Sequence, residues 1–135
     1  AFKWYKKSAE QGFALAEIKI GLCYMFGSFG VQKDLPEGFK WIKKSAEQEC
    51  VEAQYWLGYC YLYGSGVQND SSEAFKWIKK AVDQGYDKAH YNLGWCYENG
   101  AGVSKDLSEA IKWYKKAADQ GDTSAKEALQ RLEKQ

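Results

Sequence analysis

The sequence has one proline, one histidine and one methionine, almost no net charge and no long apolar run, and each scarcity excludes a class of protein. With Pro36 alone to interrupt regular structure, and 45% hydrophobic against 27% charged residues, the composition is that of a globular domain, not a disordered chain. Nineteen Lys and Arg against eighteen Asp and Glu leave a formal charge of +1, so no whole-molecule field draws in nucleic acid or anionic lipid. The longest nearly apolar run, Ile18 to Phe26, contains Lys19 and is far shorter than the ~20 residues of a membrane helix. Catalysis has little material. His90 stands alone, no Ser or Cys falls beside it with an acid by spacing, and its column in the repeats described below holds Glu17, Gln54 and Lys126, the mixture expected of a variable surface position. There is no Gly-x-x-x-x-Gly-Lys loop and no CxxC or CxxxC pair. The 135 residues suffice for a core without disulfide or metal staples. No cofactor, metal or catalytic residue is expected, and the chain reads as a non-enzyme.

Aromatic residues, at 16% with six Trp and ten Tyr, are what the chain has in excess, and they fall at a fixed period. Trp4, Trp41, Trp77 and Trp113 are separated by 37, 36 and 36 residues, and Ala16, Ala53, Ala89 and Ala125 each follow a Trp by 12. Gly21, Gly58 and Gly94 keep the same register, as do Tyr24, Tyr61 and Tyr97, and then Gly27, Gly64 and Gly100. The one extra residue lies in GSFGV, against GSGV and GAGV later, where an insertion shifts no helix face.

Each unit reads as two helices. Asp34, Asp70 and Asp106 are followed three residues later by Glu37, Glu73 and Glu109, an N-cap with an acidic N3 residue in capping-box fashion, and these start the second helices. Apolar residues at helical spacing follow, as in Phe75, Ile78 and Val82, and the helix stops at Gly85 or Gly121. Glu49 replaces that glycine once, so the turn before Cys50 is predicted to be strained or differently capped. The first helices are predicted from about Ala14, Val51 and Asp87 to just before Gly27, Gly64 and Gly100.

First helices reading AxxxLGxxY, the GxGV loop, the Asp, and then KWYKKAADQG or KWIKKAVDQG together resemble the Sel-1-like repeat family over almost the whole chain. The resemblance implies an all-α fold, a right-handed α/α superhelical solenoid of helix-turn-helix repeats related to tetratricopeptide arrays, used as an adaptor or scaffold. Residues 1–12 then form the second helix of a truncated repeat, 13–49, 50–85 and 86–121 are full repeats, and 122–135 is a capping helix with Gln130 and Glu133 in place of the glycine and tyrosine. On this reading the chain is a fragment of a longer array.

In such an array the first helices line the concave face. One of their faces, with Ala53, Leu57 and Tyr61 and their equivalents Ala16, Ile20, Tyr24, Ala89, Leu93 and Tyr97, is read as core. The other, spaced i, i+3 or i+4, and i+7 from Glu52, carries Tyr55, Tyr59 and Leu62 with Tyr63 beside them. Its equivalents are Leu15, Ile18, Leu22, Met25 and Phe26 in the first full repeat and Lys88, Tyr91, Trp95, Glu98 and Asn99 in the third, with Ser124, Glu127 and Arg131 in the last helix. By resemblance to tetratricopeptide arrays these positions line a groove for a peptide or partner helix. Tyr55, Tyr59, Leu62, Tyr63, Tyr91 and Trp95 would anchor it, and Lys88, Glu98 and Arg131 would orient it. Packing between neighbouring first helices is the competing role for these rings, and the favoured one for Leu15 to Met25. At the level of the whole module, the alternative is a structural spacer or self-association segment of a larger protein.

Lysine repeats as sharply as tryptophan: Lys3, Lys6 and Lys7, then Lys40, Lys43 and Lys44, then Lys76, Lys79 and Lys80, then Lys112, Lys115 and Lys116. Interleaved Glu10, Glu47, Asp83 and Asp119 neutralise them locally, which favours a solvated outer face over a nucleic-acid or membrane ridge. Cys23, Cys60 and Cys96 share one column, and Cys50 lies alone. Cysteine-rich secreted relatives tie the two helices of a repeat together, but the second helices here have no cysteine. Free buried thiols and a cytoplasmic location are therefore expected.

Overall fold

The computed structural model describes residues 2–134, and among them every regular element is helical. Eight helices follow in order: α1 (Phe2–Glu10), α2 (Ala14–Phe26), α3 (Leu35–Glu47), α4 (Val51–Tyr63), α5 (Ser71–Asp83), α6 (His90–Asn99), α7 (Leu107–Asp119) and α8 (Thr123–Glu133). A short 3-10 turn, Asp87–Ala89, leads into α6. Each helix packs on the next, so α2–α3, α4–α5 and α6–α7 are three stacked hairpins, the all-α solenoid expected from the repeat.

The predicted starts and stops hold except at the third first helix, expected from about Asp87, where Asp87–Ala89 is a 3-10 turn and α6 begins at His90. Asp34, Asp70 and Asp106 sit in extended backbone, and each carboxylate accepts from the N–H of the glutamate three residues on, at 3.2, 3.2 and 3.1 Å. The reciprocal half of the capping box is replaced. The aspartate N–H donates to Tyr24, Tyr61 or Tyr97 of the preceding helix at 2.8 to 2.9 Å, which brings the chain back antiparallel. Glu37, Glu73 and Glu109 turn outward to Lys40, Lys76 and Lys112 instead, at 3.8, 3.2 and 3.6 Å. The first helices end on Gly27, Gly64 and Gly100 in left-handed backbone, φ 67°, 69° and 66°.

Side-chain packing then sets the layers. Ala16, Ile20, Ala53, Leu57, Ala89 and Leu93 are buried as predicted, each Leu or Ile contributing about 2 kcal/mol of transfer free energy. The predicted core tyrosines are only half-buried, and each lies edge-on to a phenylalanine of the preceding second helix. Those pairs are Phe2–Tyr24, Phe39–Tyr61 and Phe75–Tyr97, with ring centroids 5.8, 5.5 and 5.6 Å apart. A first helix is thus clasped between its own second helix and the previous one.

One column is corrected by the structure. His90 is not a surface residue: it is 8% exposed, and Glu17 and Gln54 in the same column are fully buried, while Lys126 is exposed on the last helix. They are buried because each first helix begins beneath the end of its second helix. There Gln48 donates to Glu17, and Gln84 donates to Gln54 at 2.8 Å. His90 instead stacks on Trp113, with centroids 5.4 Å apart and rings tilted by 32°.

The predicted strain at the Glu49 turn is also present. Glu49 holds φ 66° where Gly85 and Gly121 hold 85° and 90°. Its carboxylate lies 3.7 Å from Lys80, an exposed pair worth little. Replacing a non-glycine residue in left-handed backbone relieves about 1 kcal/mol, so Glu49→Gly is expected to raise the melting temperature by about 4 °C, and Gly85→Ala to lower it comparably, in thermal denaturation followed by circular dichroism.

Candidate functional site

The face built by α2, α4 and α6 carries a continuous ladder of rings. Phe26 meets Trp56 at 5.6 Å, Trp56 meets Tyr59 at 5.3 Å, Tyr59 meets Tyr63 at 4.7 Å, and Tyr63 reaches Trp95 on α6 at 6.4 Å. Tyr55 branches from it, 5.1 Å from Trp56 and 5.3 Å from Tyr86. Edge and tilted contacts of this kind are the low-energy aromatic geometries, so the ladder is formed before anything binds it. Phe26 and Tyr63, each the last residue before a left-handed glycine, are the open rungs at 56% and 47% exposure. Tyr55, Tyr59 and Trp95 are half-buried and lean on the core beneath. Burial and neighbouring tyrosines push the Tyr55 hydroxyl up to about 12, so it stays a neutral donor.

Two members of the ladder escaped the residue spacing. Trp56 lies beside the stripe drawn from Glu52, and Tyr86 stands in a linker ahead of a helix; their only signal was that they are aromatic next to an aromatic stripe. Leu62 is the converse case. It is buried in the core with Ala74, Ile78 and Leu93, since α5 and α6 close over the edge of α4, and it offers a partner no surface. The aliphatic equivalents divide in the same way: Ile18 and Met25 are core, whereas Leu15 is 70% exposed.

At the other end of this face the polar residues are already engaged with one another. Glu98 accepts from the buried Tyr114 hydroxyl at 2.7 Å and from both terminal nitrogens of Arg131 on α8, one of them at 3.0 Å. The Arg131 hydrogen bonds hold the Glu98 carboxyl below the usual carboxylate range, with Tyr114 adding to the effect. Burial and the bond to Glu98 push Tyr114 far up. Tyr91 lies 5.5 Å from Tyr114, and a shallow cavity of about 310 Å³ opens between Tyr91, Ser124, Glu127 and Arg131. Lys88 is exposed in the turn before α6. Among the described residues no cluster of His, Cys, Asp and Glu is arranged for a metal ion, and no helix is long and apolar enough to cross a membrane.

A scan against protein-family models decides what kind of array this is. The Sel1 repeat model matches residues 1–13, 14–50, 51–86 and 87–122 in succession. The chain belongs to the Sel1 repeat family. Sel1 repeats generally serve as protein-interaction scaffolds and not as catalysts. Among solved structures, a Sel1 repeat protein from Oxalobacter formigenes is similar at 38% identity and a TM-score of 0.81, over 95% of this chain and 52% of its own. The protein c5321 of uropathogenic Escherichia coli, described as a protective antigen with this repeat fold, is similar at 38% identity and a TM-score of 0.82, over 93% of this chain and 27% of its own. The chain thus spans about half of the first relative and about a quarter of the second. Cysteine-rich protein B of Helicobacter pylori, 23% identical with a TM-score of 0.67, covers 96% of this chain and 97% of its own and shares the fold. A comparison with curated proteins finds no match.

All four cysteines of this Sel1 array are unpaired. Cys60 and Cys96 are fully buried, and burial pushes both thiols up to about 12. Iodoacetamide at pH 8 is expected to alkylate half-exposed Cys50 rapidly and to spare Cys60 and Cys96 until the chain unfolds, as mass spectrometry of tryptic peptides would read.

Two carboxylates titrate in opposite senses. Glu17 is buried and raised above 4.5, so its contribution is most favourable in acid and is lost as pH rises through the raised value. Glu98 is lowered below 4.5, so its contribution is present above 4.5 and is lost as pH falls through the lowered value. Melting temperatures at pH 4 and pH 7 should therefore show Glu17→Gln gaining on the parent as pH rises, and Glu98→Gln falling behind it.

Proposed function

We propose that this Sel1 array holds a protein partner, as a peptide or an amphipathic helix, along the concave face of its first helices. The observation that carries the reading is the preformed aromatic ladder from Phe26 to Trp95, with Phe26 and Tyr63 open to solvent. Large rings of this type dominate binding energetics because they bury much area at little cost in side-chain entropy. Tyr63 and Phe26 are the primary anchors. Tyr55, Tyr59, Tyr91 and Trp95 form the floor, and Lys88 with the Glu98–Arg131 pair sets orientation at the polar end. Leu62 supports the floor from below. The convex face supports a passive role: Lys76 and Lys80 lie over the Trp77 ring, and Lys112 and Lys116 over Trp113, at 4.7 to 5.4 Å, so these lysines are spent on internal cation–π contacts.

The partition between open and buried rungs selects the test. Truncating Tyr59 or Trp95 would remove packing as well as binding surface, whereas Phe26→Ala and Tyr63→Ala truncate the most exposed rungs of the ladder. Recovery of interacting proteins from native extract, with the parent and the Phe26→Ala, Tyr63→Ala double variant as bait, is expected to fall sharply from the first to the second, since each anchor of about 2 kcal/mol is worth about 30-fold in affinity and the two together up to about 1,000-fold. The melting temperature of the variant should stay within a few degrees of the parent. Equal recovery by the two baits would remove the ladder from the binding face and leave a spacer.

A further inference from the structure

The tryptophans of the two helix layers differ in what covers them. On the second helices, Trp41 carries Lys44 over its ring, Trp77 carries Lys76 and Lys80, and Trp113 carries Lys112 and Lys116, all at 4.7 to 5.4 Å. On the first helices, Trp56 and Trp95 have no cation over the ring among the described residues. An aromatic face is electron-rich and attracts a cation, so the concave rings are the ones whose attraction the chain leaves unmet. The junction between Tyr63 and Trp95 is also the loosest in the ladder, with centroids 6.4 Å apart and planes inclined by 52°, against 4.7 to 5.6 Å along the rungs from Phe26 to Tyr63. Beyond it the apolar strip stops. Asn99 stands in the column of Phe26 and Tyr63, is exposed, and donates to the Trp95 carbonyl at 3.0 Å.

Carboxylates gather at the same end of the face. Burial is the largest influence raising the hydroxyls of Tyr55, Tyr86 and Tyr91, and carboxylates add to it: Asp122 at Tyr55, Glu52 at Tyr86, and Asp122, Glu98 and Glu127 at Tyr91. Arg131 acts on Tyr91 in the opposite sense, but Glu98 already holds it. Glu52, Asp122 and Glu127 have no ion pair among the described residues. Lys19 lies with Tyr5 and Leu22 at the α1 end, and Lys88 in the turn before α6. Building on the groove reading above, we infer that the partner segment is basic and lays an arginine on the open ring faces at the Tyr63–Trp95 junction, in the field of Glu52, Asp122 and Glu127. A guanidinium suits the place better than an ammonium, because it is planar, weakly hydrated and stacks on aromatic faces. An apolar residue of the same segment covers Phe26. An acidic segment would bring its charge against the unpaired carboxylates and leave the ring faces without a cation.

Three helical peptides with one leucine stripe, flanked by arginine, by glutamine or by glutamate, are the probes, and fluorescence anisotropy reads their binding to the whole chain. The arginine peptide is expected to bind about tenfold more tightly than the glutamine peptide, and the glutamate peptide least of all. Tyr63→Leu keeps apolar area and removes the ring, so it should bring the arginine peptide down to the glutamine peptide, while Tyr63→Phe should keep the advantage. Glu127→Gln should weaken the arginine peptide about threefold and leave the glutamine peptide unchanged. Circular dichroism checks that each variant is folded. No binding of the arginine peptide, equal binding of the three, or an arginine advantage that survives Tyr63→Leu overturns the inference. Equal binding that the Phe26→Ala, Tyr63→Ala variant abolishes overturns it while the groove reading stands. Absence of binding by all three, together with equal recovery by the two baits, overturns both.

Discussion

The two helices of each repeat approach so closely that one of them has no room for a side chain. A Cβ on Gly58 would stand 2.6 Å from Ile78 and 3.2 Å from the Ala74 carbonyl, and Gly21 and Gly94 meet Ile42 and Tyr114 in the same way. Glycine in a helix interior costs about 1 kcal/mol relative to alanine, and three repeats accept that cost at the same position. The return is a hairpin tight enough for the adjoining Leu57 and Leu93 to be fully buried, and flat enough for the next hairpin to stack on it. In α8 the same column carries Gln130.

The ladder depends on that stacking. Phe26, Tyr63 and Trp95 belong to three different helices, and only the fixed offset between hairpins brings their rings within 6.4 Å of a neighbour across each junction. The last repeat departs from the pattern as a unit. Tyr114 replaces isoleucine, Glu98 replaces leucine or methionine, and Arg131 arrives from α8 to complete the charge, so hydrogen bonds join the apolar packing of Ala125 and Ala128 in holding α8. Buried polar groups of this kind hold only when each partner is present.

Polar columns were the least legible part of the sequence. Glu17, Gln54 and His90 look like a variable surface because polar residues are more often exposed, and nothing local marks them otherwise. The burial of Glu17 and Gln54 follows from the glutamines 31 and 30 residues away that end the second helices and cover them, and that of His90 from Trp113 of the helix packed on it. The helix N-caps were legible for the opposite reason: Asp34, Asp70 and Asp106 act on N–H groups three residues away, so the whole interaction lies within one short stretch of chain.

The sequence by itself determined the repeat and its helix ends, because caps and left-handed glycines are local and recur three times over. Tertiary structure alone decided which aromatics face solvent. Tyr63 and Leu62 are adjacent in sequence, and only the angle at which α5 and α6 cover α4 leaves one ring open and buries the other side chain. Tertiary structure likewise decided that Glu98, Tyr114 and Arg131 form one network, since separations of 16 and 33 residues carry no signal until the hairpins stack.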